Sequence, residues 1–134
     1  MDELAAVTVC CRSMPFVLVV DDDESTGDAI RRLLGRMGYT AQWAPGGHEA
    51  IATLQVEKPD LVVLDWMMPG MNGLEVLRRL RANPATQELP VIIYTAASSP
   101  AVAQLAADYG AQDCVLKSGG FFPLYDSIQR HVAH

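Results

Sequence analysis

The chain has 134 residues, of which 50% are hydrophobic and 19% charged, with a formal net charge of −6 at pH 7. That length suits one domain with a sizeable core, and an acidic balance without any Lys/Arg run argues against direct nucleic-acid binding. No run approaches the ~20 apolar residues of a membrane span, and Cys10, Cys11 and Cys114 have neither zinc spacing nor a disulfide pattern, which fits a reduced, cytoplasmic setting.

Residues 1–15 show no clear period, lack the basic region of a signal peptide and end at Pro15. They are expected to be an N-terminal extension ahead of a single domain over 16–134. Phe16-Val17-Leu18-Val19-Val20 reads as a buried strand ended by Asp21-Asp22-Asp23-Glu24. The spacing of Ile30, Leu33, Leu34 and Met37 predicts the inner face of a helix stopped by Gly38. Tyr39 to Ala44 is a second, weaker strand, and Pro45-Gly46-Gly47 a loop. Ala50, Ile51 and Leu54 mark a helix that ends before Pro59. Leu61-Val62-Val63-Leu64 is an uninterrupted apolar run, the mark of a strand buried on both faces. Asp65 stands where it stops, and Pro69, Gly70 and Gly73 force a loop.

Leu74, Leu77 and Leu80 place a third helix, broken at Asn83-Pro84. Pro90 introduces a strand, Val91-Ile92-Ile93-Tyr94, followed by the small residues Thr95 to Ser99. Pro100 suits the first turn of a helix with Val102, Leu105, Ala106 and Tyr109 inward, stopped by Gly110. Asp113 to Leu116 is a short fifth strand. After Lys117-Ser118-Gly119-Gly120 a last helix carries Leu124, Ile128 and Val132 to the C-terminus, so no further domain is expected. Five strands alternating with five helices imply right-handed crossovers and a parallel sheet covered on both faces.

In open α/β sheets, ligands bind at the carboxyl ends of the strands. The residues that follow the strong strands are Asp21, Asp22 and Asp23, then Asp65, Thr95 and Lys117. Two unit charges 4 Å apart repel by about 4 kcal/mol at an effective dielectric near 20. A cluster of carboxylates therefore needs raised pKa values, a cation, or both. Hard oxygen ligands without His or Cys favour Mg²⁺. A lysine and a threonine beside them suit surplus negative oxygens, such as those of a phosphoryl group carried by Asp65. Each residue alone also has a plainer reading. Asp65 can end a strand, the Asp21–Glu24 run can start a solvated helix, Thr95 can be a strand-end hydroxyl, and Lys117 a surface lysine. Their placement, one group after each of four strands, favours the chemical reading.

From Phe16 onward the chain resembles the receiver domain of two-component response regulators. The resemblance runs over about residues 16–132. It is carried by Val19-Val20-Asp21-Asp22-Asp23-Glu24, by Pro59 to Asp65, by Met68-Pro69-Gly70-Met71-Asn72-Gly73, by Tyr94-Thr95-Ala96 and by Gly110-Ala111 leading to Lys117. It implies a flavodoxin-like sheet of order 2-1-3-4-5 and a phosphoacceptor at Asp65, supplied by a phosphohistidine on a histidine kinase or phosphotransfer protein. It also implies Mg²⁺ held by Asp22, Asp65 and the backbone carbonyl of Met67, with Asp21 assisting through water, and phosphoryl oxygens met by Thr95 and Lys117. Output would be by docking to a downstream target protein, with homodimerisation a further option and neither nucleic acid nor membrane involved. Such a module catalyses only its own phosphorylation and dephosphorylation.

The chain departs from the family pattern at two places. Ser118 stands where the family usually has a proline after the lysine, in a cis peptide; a cis bond costs a non-proline residue ~2.5–4 kcal/mol, so a trans bond or a rearranged loop is expected. Cys114 stands where an aromatic commonly couples to the threonine. Tyr94 lies next to Thr95 but points to the opposite face. Met67 and Ala97, which flank the site in related domains, cannot orient an attacking water, so a long-lived acyl phosphate is expected. A phosphorylation-independent scaffold on the same fold is the competing function. A metal-dependent hydrolase is disfavoured because Asp65-Trp66-Met67 offers no second acid, and a flavin binder because no phosphate-cradling Gly-rich loop follows the first strand.

Overall fold

A computed structural model describes residues 14–97 and 99–132. The strands are β1 (Phe16–Val20), β2 (Thr40–Ala44), β3 (Leu61–Leu64), β4 (Val91–Thr95) and β5 (Asp113–Leu116). The helices are α1 (Glu24–Arg36), α2 (Gly47–Val56), α3 (Gly73–Ala82), α4 (Pro100–Asp108) and α5 (Phe121–His131), with a 3₁₀ turn over Lys117–Gly119. All four strand pairings are parallel, and the order is β2-β1-β3-β4-β5. This is the doubly wound, flavodoxin-like arrangement expected from the alternation of elements.

The period of two along each strand divides the core between the faces. Leu18, Val20, Val62, Leu64, Val91 and Ile93 pack with Ala50 of α2, with Val76, Leu77 and Leu80 of α3, and with Ala106 of α4. Val17, Val19, Leu61, Val63, Ile92 and Tyr94 pack on the other side with Ile30 and Leu34 of α1 and with Leu124 and Ile128 of α5. The central strands are apolar throughout because both faces are covered.

Three inward assignments do not hold. Met37 caps the end of α1 in a non-helical conformation and is exposed; Tyr39, two residues on, fills the core position instead and donates its N–H to the Leu34 carbonyl. Leu105 and Tyr109 are also exposed, leaving Ala106 as the buried residue of α4. Tyr109 lies one residue past that helix, and Arg78 sits over its ring at 5.8 Å from the centroid. A short helix of small residues approaches the sheet closely through Ala106, so its larger side chains are left at the rim.

Most of the expected extension lies outside the described residues. Pro15 is buried, and its carbonyl accepts from the Thr40 N–H at 2.9 Å, continuing the β1–β2 ladder. Among the described residues every peptide bond is trans, Lys117–Ser118 included. No helix among them is long and apolar enough to cross a membrane.

Candidate functional site

The carboxyl ends of β1, β3, β4 and β5 bring the expected residues to one edge of the sheet. Asp21 follows β1, and its N–H donates to the Ala44 carbonyl at 3.1 Å, extending the ladder by one residue. Its Oδ1 accepts from the Asp23 N–H at 2.9 Å, which turns the side chain inward, and only 2% of the residue is exposed. Asp22, the next residue, is exposed. Asp65 follows β3 in the same way: its N–H donates to the Val20 carbonyl at 2.9 Å, and Oδ1 accepts from the Met67 N–H at 3.3 Å. Asp65 is 5% exposed.

One oxygen from each of Asp21, Asp22 and Asp65 lies within 4.8 Å of the others. Lys117, at the end of β5, reaches into the cluster. Its Nζ is 2.8 Å from Asp21 Oδ2 and 3.4 Å from Asp65 Oδ2. Burial pushes the Asp65 carboxyl above its ordinary range, the Asp21 charge pushes it further, and Lys117 offsets part of the rise. Burial works against the Lys117 ammonium, but its bonds to Asp21 and Asp65 outweigh that and raise its pKa. Three carboxylates against one ammonium leave surplus negative charge on hard oxygen donors, the donor set of a divalent cation such as Mg²⁺.

Thr95, the last residue of β4, is fully buried, and its Oγ1 accepts from the Ala97 N–H at 3.1 Å. Among the described residues it makes no hydrogen bond to Asp65 or Lys117, although its register partner in β5, Leu116, immediately precedes Lys117. Met67 is 65% exposed beside Asp65. It lines a shallow pocket of about 400 Å³ with Trp66, Met68, Pro69 and Asn72.

The loop after Asp65 doubles back tightly. The Gly73 N–H donates to the Trp66 carbonyl at 3.0 Å; a Cβ on Gly73 would collide with the Asp65 carbonyl and lie 2.8 Å from Trp66 Cα. Glycine is required by this close approach of two backbones. Asn72 then caps α3, its Oδ1 accepting from the Glu75 N–H at 3.0 Å.

Two contributors escaped the reading of the sequence. Trp43 of β2 donates its Nε1–H to the Asp21 carbonyl at 2.8 Å, and its ring occupies the space a Cβ on Gly27 would need. Gly27, a glycine inside a helical pattern, was the one available cue to a close packing partner. The Tyr94 hydroxyl donates to the Gly120 carbonyl at 3.1 Å. Nothing in the local pattern announces that bond.

The response regulator receiver domain pattern matches residues 17–129. The chain is 38% identical over 104 residues to the phosphate regulon transcriptional regulatory protein PhoB of Rhizobium meliloti, an alignment covering 78% of this chain and 46% of that protein. It is 41% identical over 101 residues to response regulator MprA of Mycolicibacterium vanbaalenii, covering 75% and 43%. The chain thus spans less than half the length of these curated relatives. Among solved structures, chemotaxis protein CheY4 of Vibrio cholerae matches with a TM-score of 0.84 at 29% identity, over 90% of this chain and 100% of that one. On the pattern matched across most of its length and on its five-stranded parallel fold, the chain belongs to the response regulator receiver domain family.

Proposed function

We propose that this receiver domain takes a phosphoryl group on Asp65 from a histidine kinase or phosphotransfer protein and passes the signal on by docking to a target protein. The observation that carries the reading is the Lys117 ammonium bridging the buried Asp21 and Asp65 of an acidic cluster. An Asp65 oxygen attacks phosphorus; the new O–P bond forms as the P–N bond of a phosphohistidine breaks, and the imidazole nitrogen keeps the electron pair. Lys117 supplies positive charge as negative charge builds on the transferring oxygens, and the Thr95 hydroxyl donates to one of them. Asp22, Asp65 and the Met67 carbonyl would hold Mg²⁺, with Asp21 assisting. The chemistry such an ion would supply there is positive charge against the phosphoryl oxygens.

The module consists of residues 16–134 preceded by the extension over 1–15, and its chemistry is confined to its own phosphorylation and dephosphorylation in a cytoplasmic setting. PhoB is by its name a transcriptional regulatory protein; for the present chain the proposed output is protein docking without nucleic acid. The competing reading, a scaffold indifferent to phosphorylation, draws its support from Ser118 and Cys114, the two departures from the family pattern. Incubation with acetyl phosphate and Mg²⁺ separates the two. A mass gain of one phosphate, lost in Asp65→Ala, is the expected result; no gain in the wild type leaves the scaffold.

A further inference from the structure

Lys117 is held at its tip by two carboxylates, but the backbone behind it has little to fix it. Ser118, Gly119 and Gly120 are all exposed, and two of the three are glycines, the residues with the widest conformational freedom. The Gly120 N–H closes the turn on the Lys117 carbonyl at 3.0 Å. Gly120 then sits at φ +80°, a conformation other residues rarely adopt, and the N-terminus of α5 has no side-chain cap.

Only one side chain among the described residues hydrogen-bonds to the backbone of this turn. Tyr94 is 6% exposed, with its ring in the core on the face of the sheet that α1 and α5 cover, and its hydroxyl donates to the Gly120 carbonyl at 3.1 Å. The ring belongs to the core that α5 covers with Leu124 and Ile128, beside its register partner Val115, so the hydroxyl is delivered from a rigid base. The anchored carbonyl belongs to the residue whose N–H closes the turn on Lys117. Tyr94 is also the immediate neighbour of Thr95. One strand end thus presents a hydroxyl to the site from one face and fastens the lysine-bearing turn from the other.

We infer that Tyr94 is a positioning residue: its hydroxyl, acting through the Gly120 carbonyl, holds the Lys117–Gly120 turn so that the Lys117 ammonium is aimed at Asp65 for phosphoryl transfer. The inference rests on the proposed phosphorylation of Asp65 and adds to it a residue that touches neither phosphate nor metal. A hydrogen bond from a buried tyrosine to a glycine-rich turn restricts the glycines at little cost, because the ring is already ordered by the core.

The test is a double-mutant cycle on the rate of mass gain from acetyl phosphate with saturating Mg²⁺, using wild type, Tyr94→Phe, Lys117→Ala and the double variant. Tyr94→Phe keeps the ring and removes one oxygen. It is expected to slow phosphorylation by about threefold to tenfold, the range open to a coupling between interacting residues. On a Lys117→Ala background the same change should alter the rate less than about twofold, since there is no lysine left to aim. Hydrogen exchange supplies a readout independent of activity: the Gly120 amide should exchange several-fold faster in Tyr94→Phe, with the amides of β3 unchanged. A wild-type rate in Tyr94→Phe, or equal slowing with and without Lys117, overturns the inference. So does unfolding of Tyr94→Phe, which would make the hydroxyl a support of the whole fold. If wild type gains no phosphate, or Lys117→Ala reacts as fast as wild type, the failure lies in the proposed function itself.

Discussion

The Trp43 indole donates to the main-chain carbonyl of Asp21 at 2.8 Å, tying edge strand β2 to the acidic corner through a residue outside that corner. Its ring packs against α1 at Gly27, where any side chain would overlap it. A rigid bicyclic ring cannot step aside as a flexible chain end would. Gly27→Ala should therefore destabilise the fold by about 1–3 kcal/mol, the usual cost of overpacking. Placed on Trp43→Ala, the same change should cost nearly nothing. Equal losses on both backgrounds, measured by urea unfolding, would show that the clash is not the cause.

Gly73→Ala meets a harder obstacle, because the atoms in its way are the Asp65 carbonyl and Trp66 Cα rather than a side chain. Relief requires moving the backbone that carries Asp65. We expect a loss above about 2 kcal/mol. By contrast Gly47→Ala, which meets side-chain atoms of Met71 and Val76 at 2.9 Å, should cost less. Thermal melts of the two variants give the comparison, and the reverse order would contradict it.

The raised pKa of Asp65 makes a prediction about pH. Its folded-state value lies above the unfolded one, so proton uptake favours the fold. That contribution is complete below the unfolded carboxylate range and is lost as pH rises through the folded value. At pH 7 without metal the ionised side chain weakens the domain. Asp65→Asn should raise stability there by on the order of 1 kcal/mol, with the gain shrinking as the pH falls toward about 4. A variant less stable than wild type at pH 7 and low salt would contradict the assigned electrostatics.

Mg²⁺ should reverse that ranking. A ligand bound only by the folded state adds about 2.7 kcal/mol at a hundredfold excess over its Kd. The melting temperature of wild type should climb with added MgCl₂ and fall back with EDTA. Asp22→Ala and Asp65→Asn should each flatten the response, whereas Asp60→Ala, at the opposite end of the sheet with its carboxylate on the Phe16 N–H, should leave it intact. A response insensitive to Asp22 and Asp65 would place the ion elsewhere.

The acyl phosphate should be long-lived. Met67 is exposed beside Asp65 but apolar, and Ala97 offers only a methyl group past Thr95. Neither can orient a water for attack on phosphorus. We expect a half-life of minutes or longer in the purified, Mg²⁺-loaded domain after the phosphodonor is removed. Decay within seconds would sink this expectation.

Much of the fold was legible because its signals are local. Leu61–Leu64 and Val91–Tyr94 are continuous apolar runs, and their burial on both faces follows from the covered parallel sheet. Asp21, Asp65 and Lys117 could be placed together because parallel strands send all their carboxyl ends to one edge. Two of the three misplacements arose where periodicity outran the helix. Met37 and Tyr109 each sit one residue past the last helical turn, so the 3.6-residue count no longer says where they point. Trp43–Asp21 and Tyr94–Gly120 join elements 22 and 26 residues apart through single hydrogen bonds. Bonds of that kind leave no period in a sequence.

Lys117 meets Asp21 across 96 residues of chain and Asp65 across 52. Contacts of such sequence separation form late, after the intervening loop entropy has been overcome. As the polypeptide leaves the ribosome, both carboxylates emerge well before the cation that faces them. No fragment ending before β5 contains a complete site. Completion of the charge cluster is therefore tied to completion of the sheet, and a newly made chain acquires its counter-charge at Asp65 only once its last strand has docked.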